Sequence, residues 1–232
     1  MKYGALILVA GLASCGSPGR RAAETPIIRP SEVTDFRVLY GQNCSGCHAI
    51  DGQGALAVAI GSPVYLAIAD NATIRRVVEQ GMPGTAMPAF GQSAGGLLTD
   101  AQIDILVGGM WERWARPGAL GSDKPPAYAA LQPGDATRGR NVFATFCSSC
   151  HGSEGHGGRA GSIVDGSYLA LVSDQHLRTL TIIGMPALGA PDWRGNVPGK
   201  PMSDADVTDV VAWLAAQRPS LSAQSNHPGG SE

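Results

Sequence analysis

Two short cysteine motifs offer the clearest chemistry in this sequence: CSGCH at residues 44–48 and CSSCH at residues 147–151. Two thiols separated by two residues, with a histidine directly after them, form the attachment pattern of c-type haem. The thiols add to the vinyl groups and the imidazole binds the iron. One copy alone is weaker evidence, because a zinc site or a redox-active cysteine pair could mimic the pattern. Two copies favour two covalently bound haem c groups, held by Cys44, Cys47, Cys147 and Cys150, with His48 and His151 as axial iron ligands.

The two motifs belong to a longer internal repeat. At an offset of 103 residues, Tyr65-Leu66-Ala67 matches Tyr168-Leu169-Ala170, and Gly81-Met82-Pro83 matches Gly184-Met185-Pro186. No insertion is needed until the loop before the last helix, where the offset becomes 104. The repeat therefore indicates a tandem duplication with one haem in each copy.

Each copy is predicted to form three helices around its cofactor. In pairs, these are 34–42 and 136–146, 71–80 and 174–183, and two helices that begin at Thr99 and Ser203. Asn71 and Asp174 are expected to cap the middle helices, because their side chains can accept hydrogen bonds from free backbone N–H groups.

The amino terminus is typical of an exported protein. Lys2 precedes an apolar run at residues 4–13, which is too short to cross a bilayer and suits the core of a signal peptide. The run ends in Leu12-Ala13-Ser14-Cys15, which resembles the lipobox of bacterial lipoproteins. That resemblance implies a signal peptide at 1–14, lipidation of Cys15 and a tether over 15–31. The alternative is an ordinary signal peptide with an incidental cysteine.

Together, the two motifs and the repeat resemble class I cytochromes c, in particular the tandem dihaem kind exemplified by cytochrome c4 and by electron-entry subunits of respiratory chains. The resemblance covers residues 34–218. It implies an all-α fold of two cytochrome c domains, each of about three helices wrapped round a covalent haem. The predicted segments are domains at 32–116 and 135–219, a Pro- and Gly-rich linker at 117–134 and a tail at 220–232.

One departure from this family concerns helix packing. The glycine that the family has near the start of the first helix is present as Gly139, but Phe36 takes its place in the first copy. Phe36 is therefore expected to affect the tightness of helix packing in the first domain, but not the haem site.

The second axial ligand is expected to differ between the copies. Met87, in the sequence TAMPAF, looks like the distal ligand of the family, and Met82 is then a packing residue. The residue aligned with Met87 is Ala190, which cannot bind iron. Candidates in the second copy, in order of preference, are Met202, then Met185, and then His176, His156 or an open site.

Four other polar residues have alternative interpretations. Arg75 and Arg178 recur at equivalent positions and could contact haem propionates or lie on solvated helix faces. His156 and His176 are expected on the surface.

The charge balance argues against nucleic-acid binding. The sequence has 17 Lys and Arg against 19 Asp and Glu, a formal net charge of -2. This balance provides no excess of positive charge to bind a phosphate backbone. The sequence also lacks a Ser-His-Asp pattern, a phosphate-binding loop and an HExxH motif. An electron carrier is therefore favoured over an enzyme, since the redox chemistry belongs to the haem.

The expected function is electron transfer from a quinol-oxidising complex or dehydrogenase to a terminal acceptor, with redox proteins as partners. The predicted location is the periplasmic or extracytoplasmic side of a bacterial membrane, held through Cys15. Two alternatives stay open: a dihaem enzyme or gas-binding sensor with an open second haem, and a fixed electron-transfer subunit of a larger respiratory or photosynthetic complex.

Overall fold

The computed structural model describes residues 28–54 and 57–219. Within these ranges the regular structure is helical and the only β-type pairs are isolated bridges, so the all-α prediction is confirmed. The first half contains α1 (Phe36–Asn43), α2 (Ser45–His48), α3 (Pro63–Ile68), α4 (Asn71–Gln80) and α5 (Asp100–Trp114). The second half repeats this order with α6 (Ala136–Phe146), α7 (Ser148–His151), α8 (Gly166–Leu171), α9 (Asp174–Ile183) and α10 (Asp204–Ala215).

The three predicted helices of each copy are present, but the structure adds two short ones. The single turns α2 and α7 pass through the cysteine motifs, and α3 and α8 lie between the motif and the middle helix. Their four to six residues are too few to show a helical period in the sequence. The predicted signal peptide, Cys15, most of the tether and the tail lie outside the described residues.

The predicted N-caps of the middle helices are wrong by one residue. The side chain of Asp70, not Asn71, accepts a hydrogen bond from a backbone N–H of α4, and Ser173, not Asp174, does so for α9. In both places two residues of cap type are adjacent, and the first of them has the extended backbone that a cap requires.

The first and last helices of the second half cross at very short range. Gly139 of α6 faces the backbone carbonyl of Asp209 in α10, so that a Cβ atom at Gly139 would overlap that oxygen. The Phe143 ring packs beside the Trp213 ring, with 4.4 Å between the ring centroids. Only glycine permits this crossing without moving a helix.

In the first half, the glycine of the crossing lies on the other helix. Phe36 of α1 packs against Gly109 of α5, where a Cβ atom would overlap the Phe36 ring. The residue aligned with Gly109 in the second half is Trp213. Phe36 is only 7% exposed and stacks on Tyr40 at a centroid distance of 5.5 Å. The first half therefore has its large residue, Phe36, where the second half has Gly139, and its small residue, Gly109, where the second half has a tryptophan. The helices pack tightly in both halves.

The segment 117–134 is bound along the second half. The Ala127 N–H donates to Asp204, and its carbonyl accepts from Arg178, each at 2.9 Å. Tyr128 also meets the first half, where its ring lies edge-on to that of Tyr65 at 6.4 Å. Since α3 also packs against α9, the two halves share a direct contact.

Of the helices in residues 28–54 and 57–219, none has the length and apolar character needed to cross a membrane.

The role of Gly109 in the crossing of α1 and α5 can be tested by substituting Gly109 and its neighbour Gly108. Gly109→Ala should lower the free energy of unfolding of the haem-loaded protein by about 1–3 kcal/mol, because the new methyl group overpacks against Phe36. Gly108→Ala is the matched control: nothing lies within 4 Å of the added Cβ, and the gain in helix propensity should stabilise by about 0.5–1 kcal/mol. Denaturant unfolding measures both, and equal stabilities would contradict the packing.

Candidate haem-binding sites

Both cysteine motifs form a single helical turn directly after the first helix of their half. Cys44 ends α1 and precedes α2, and Cys147 has the same place between α6 and α7. Residues three apart in a helix lie on the same side, so this turn presents both cysteines of a motif to one ligand. None of these four cysteines forms a disulfide, so each sulfur is available for a thioether bond to a haem vinyl group.

The two motif histidines are oriented in the same way. Nδ1 of His48 lies 2.7 Å from the carbonyl oxygen of Val58, and Nδ1 of His151 lies 3.1 Å from that of Gly161. Because a carbonyl oxygen only accepts, Nδ1 must carry the hydrogen, and Nε2 keeps the lone pair that binds a metal. Burial also lowers the pKa of His48, which favours the neutral, ligating form. Both sites therefore fit an iron ligated from the histidine side.

The thiols of the two sites differ in one respect. Burial raises the pKa of Cys44 and of Cys147 to about 12. In the second site, a guanidinium nitrogen of Arg159 lies 3.0 Å from the sulfur of Cys150 and lowers the pKa of that thiol. The first copy has Leu56, an uncharged residue, at the repeat position of Arg159. The second site therefore has a positive charge beside Cys150, whereas the equivalent position of the first copy is uncharged.

A strained residue follows the first motif. Ala49 has φ 61, the one positive value for a non-glycine residue in the described part of the chain, while the equivalent residue is Gly152. The Tyr40 hydroxyl donates to the Ala49 carbonyl at 2.8 Å, and the second half has Phe143 in place of Tyr40. The tyrosine therefore holds a conformation that the second half obtains from glycine.

The loops after α4 and α9 share one backbone hydrogen bond and differ in the next: the Met87 N–H donates to the Thr85 hydroxyl, and the Ala190 N–H to the Met185 carbonyl. The N–H of Met82 donates to the carbonyl of Met87 at 3.0 Å, and the N–H of Met185 donates to that of Ala190 at 2.9 Å. Met82, Met87 and Met185 are all half-buried. The carbonyl of Ala190 therefore accepts from the residue equivalent to the one that bonds the Met87 carbonyl.

Met202 lies elsewhere, in the core of the second half. It is 2% exposed, and its N–H donates to the carbonyl of Trp193 at 2.9 Å. Leu98 has the same place in the first half: it is 5% exposed and donates to Phe90 at 2.8 Å. The Asn196 amide also donates to the Met202 sulfur at 3.7 Å. Met202 thus fills the core position of Leu98.

The two recurring arginines join the middle helix of each half to its last helix. Arg178 is 2% exposed, so a solvated face is wrong for this residue. Its guanidinium donates to Asp204, Thr208 and the carbonyl of Ala127. Arg75 is more exposed, and its partners are Glu79, Asp100 and Asp104. In both halves all three guanidinium nitrogens already have a protein partner.

His156 is exposed, as expected, but the surface prediction for His176 is wrong. His176 is half-buried in the first turn of α9, and its pKa is lowered by burial and by the charge of His48. Because His48 belongs to the other half, the repeat pattern within one copy could not show this proximity.

Comparison with known protein families identifies the class. Residues 31–108 match the family described as "Cytochrome C oxidase, cbb3-type, subunit III", and residues 136–218 match "Cytochrome c". The chain therefore belongs to the class I cytochromes c, as a tandem dihaem member with two covalently bound haem c groups. It is an electron-transfer protein.

Similar proteins come from respiratory chains. The "Cytochrome bc1 complex cytochrome c subunit" of Mycobacterium tuberculosis is 23% identical over 227 residues, which is 97% of this chain and 76% of that protein. The "Cbb3-type cytochrome c oxidase subunit CcoP" of Azospirillum sp. is 28% identical over 138 residues, 55% of this chain. The match spans only 42% of that relative's length. The "reducing HAO-like protein complex" of Kuenenia stuttgartiensis superposes with a TM-score of 0.45 at 15% identity, covering 79% of this chain and 96% of that one.

The contacts of Arg178 and Arg75 predict that substituting these equivalent residues lowers the free energy of unfolding by different amounts. Arg178→Gln should lower the free energy of unfolding by about 2–3 kcal/mol, because it removes a fully buried guanidinium and leaves part-buried acceptors without a charged donor. Arg75→Gln should lower it clearly less than Arg178→Gln does, since water screens the ion pairs of the more exposed Arg75. Denaturant unfolding measures both. A shift of haem potential without loss of stability would instead indicate a propionate contact.

Proposed function

We propose that this chain carries electrons within a respiratory complex, from a quinol-oxidising unit or dehydrogenase to a terminal acceptor such as an oxidase. The observation that carries the proposal is the pair of matching histidine sites, each with a backbone carbonyl on Nδ1. The bc1-complex relatives, which match 97% of the chain, support a respiratory setting. The proposed domains are 32–116 and 135–219, joined by the linker 117–134.

We assign the first haem to Cys44 and Cys47, with His48 and Met87 as iron ligands. The second haem is assigned to Cys147, Cys150 and His151. When bound, each haem supplies one-electron redox chemistry at its iron. For the sixth ligand of the second iron, the sequence favoured Met202 over Met185. The core position of Met202 weighs against that choice.

The other residues orient the sites and exclude water. The carbonyl of Val58 fixes the ring plane of His48, and the carbonyl of Gly161 does so for His151. The Tyr40 hydroxyl anchors the backbone directly after the first motif. A site whose histidine ring is held by a backbone carbonyl suits a carrier, because little has to move when an electron arrives.

A lipid on Cys15 is proposed to hold the protein at the extracytoplasmic face of a bacterial membrane. The support is the apolar run at residues 4–13 and the lipobox-like sequence that follows it. Anchoring would confine the chain to the membrane plane, close to redox partners that are themselves in the membrane.

The anchor predicts the effect of one substitution. Cys15→Ser should release most of the haem-loaded protein from salt-washed membranes, because the attachment atom for the lipid is gone. Ser17→Ala, two residues away, should stay in the membrane fraction like the wild type. Cell fractionation followed by mass spectrometry of the amino-terminal peptide measures both. An unmodified Cys15 in the wild-type peptide would contradict the proposal.

The carrier function is tested by quinol-driven reduction. Met87→Ala should keep both haems attached but lower the potential of the first, because a thioether ligand stabilises ferrous iron. Its reduction by quinol, in membranes that contain the quinol-oxidising complex, should slow by more than about tenfold, or ~1.4 kcal/mol in barrier. Met82→Ala, on the same loop, is the matched control and should react like the wild type.

Two results would contradict the assignment. Unchanged reduction of Met87→Ala would remove Met87 as the ligand. A wild-type protein that quinol cannot reduce, with its complex present, would remove the respiratory carrier function.

A further inference from the structure

We propose that the second haem binds a small uncharged diatomic molecule, such as carbon monoxide, at its iron, because this chain presents Ala190 where the first half presents Met87. The inference rests on the proposed attachment of this haem through Cys147, Cys150 and His151. It makes the two halves functionally different: one is closed by a methionine and the other accepts an external ligand.

The two distal loops, residues 81–88 and 184–191, share their starting turn and one backbone hydrogen bond across the loop. Each begins at a glycine with positive φ, Gly81 or Gly184, and folds back over it so tightly that an added Cβ atom would overlap backbone atoms at the loop's far end. With the same turn at the start and the same N–H to carbonyl pairing across the loop, the methyl group of Ala190 takes the place of the Met87 side chain. A methyl group has no lone pair to offer to iron.

Met202 is held in the core of the second half and is not available as an iron ligand. Met202 and Leu98 occupy the same repeat position, and both are buried. The N–H of Met202 donates to the carbonyl of Trp193, and that of Leu98 to the equivalent carbonyl of Phe90. The Met202 sulfur accepts from Asn196, whose amide also bonds the carbonyl of Asp192. Turning this side chain toward an iron would break that contact and empty a core position.

Met185 has the same backbone contact as Met82. Its N–H donates to the carbonyl of Ala190 at 2.9 Å, as that of Met82 does to Met87 at 3.0 Å. It stands at the position of Met82, which serves packing if Met87 is the first ligand. The second distal loop therefore reproduces the packing methionine of the first loop and lacks the ligating one.

The ligand class follows from the composition of the second distal loop. Its residues, GMPALGAP, include no acid, base or hydroxyl. The first charged residues beyond it, Asp192 and Arg194, pair with each other at 2.6 Å. Peroxide cleavage needs an acid–base group above the iron, and an anionic ligand gains from a positive charge there. The loop offers neither, so the site suits a small uncharged molecule that binds ferrous iron.

The test uses the full-length, dithionite-reduced protein with both haems attached, and carbon monoxide as the probe. Before the gas is added, one of the two haems should show a high-spin ferrous spectrum. The wild type should then bind one carbon monoxide per chain. Ala190→Met places a thioether at the Met87 position and should abolish this binding, with a new methionine-to-ferric-iron charge-transfer band in the oxidised protein. Ala187→Met makes the same change at an exposed residue of the same loop and should bind like the wild type.

Three outcomes are informative. Two low-spin haems that are reversibly reduced but take up no gas would overturn the inference and leave the carrier function intact. Binding that persists in Ala190→Met, while that protein remains folded, would show that Ala190 does not face the iron. One gas molecule per chain in the wild type and in Ala187→Met, with none in Ala190→Met, would establish the site. Failure of quinol to reduce the first haem would count against the carrier function alone.

Discussion

The contact on which both haem sites depend is the crossing of the first helix of each half over its last helix. The cysteine motif begins where the first helix ends, so the crossing sets the position of the thiols and of the histidine. A glycine removes the side chain from one helix, and a large aromatic residue fills the space from the other. The first half places these as Gly109 and Phe36, and the second as Gly139 and Trp213. Both arrangements give a close crossing.

Because of this exchange, much of the fold could be predicted from the sequence and some contacts could not. The motifs, the repeat and the helices at 71–80 and 174–183 follow from residue types and spacing. The tryptophans are different: Trp114 and Trp213 pack their rings near Gly52 and Gly155, which are equivalent, yet the tryptophans themselves are not aligned. The alignment places residues along the chain, whereas packing depends on where their rings reach.

The contacts between the two halves also could not be predicted from the sequence. His176 and His48 belong to different copies, and the internal repeat carries no information about how copies meet. The burial of Arg178 has a similar origin, because part of its surroundings is the segment 117–134, which has no equivalent in the first copy. Its composition predicted a linker, but composition does not show that the backbone carbonyl of Ala127 would bind an arginine.

The two halves agree on the histidine side and differ on the methionine side. Nδ1 of His48 and of His151 each contacts a backbone carbonyl, which leaves Nε2 of both rings available to hold an iron. On the opposite side, Ala190 stands at the repeat position of Met87. A duplicated domain that keeps one ligand and loses the other gains a second chemical property without altering its fold.

The most direct test of this account is a spectroelectrochemical titration of the full-length dihaem protein. The account predicts two one-electron steps at different potentials. The charge-transfer band of a methionine-ligated ferric haem should disappear in the higher step alone, because only the first haem has Met87. If both steps carried that band, or neither did, the ligand assignment that distinguishes the two halves would be wrong.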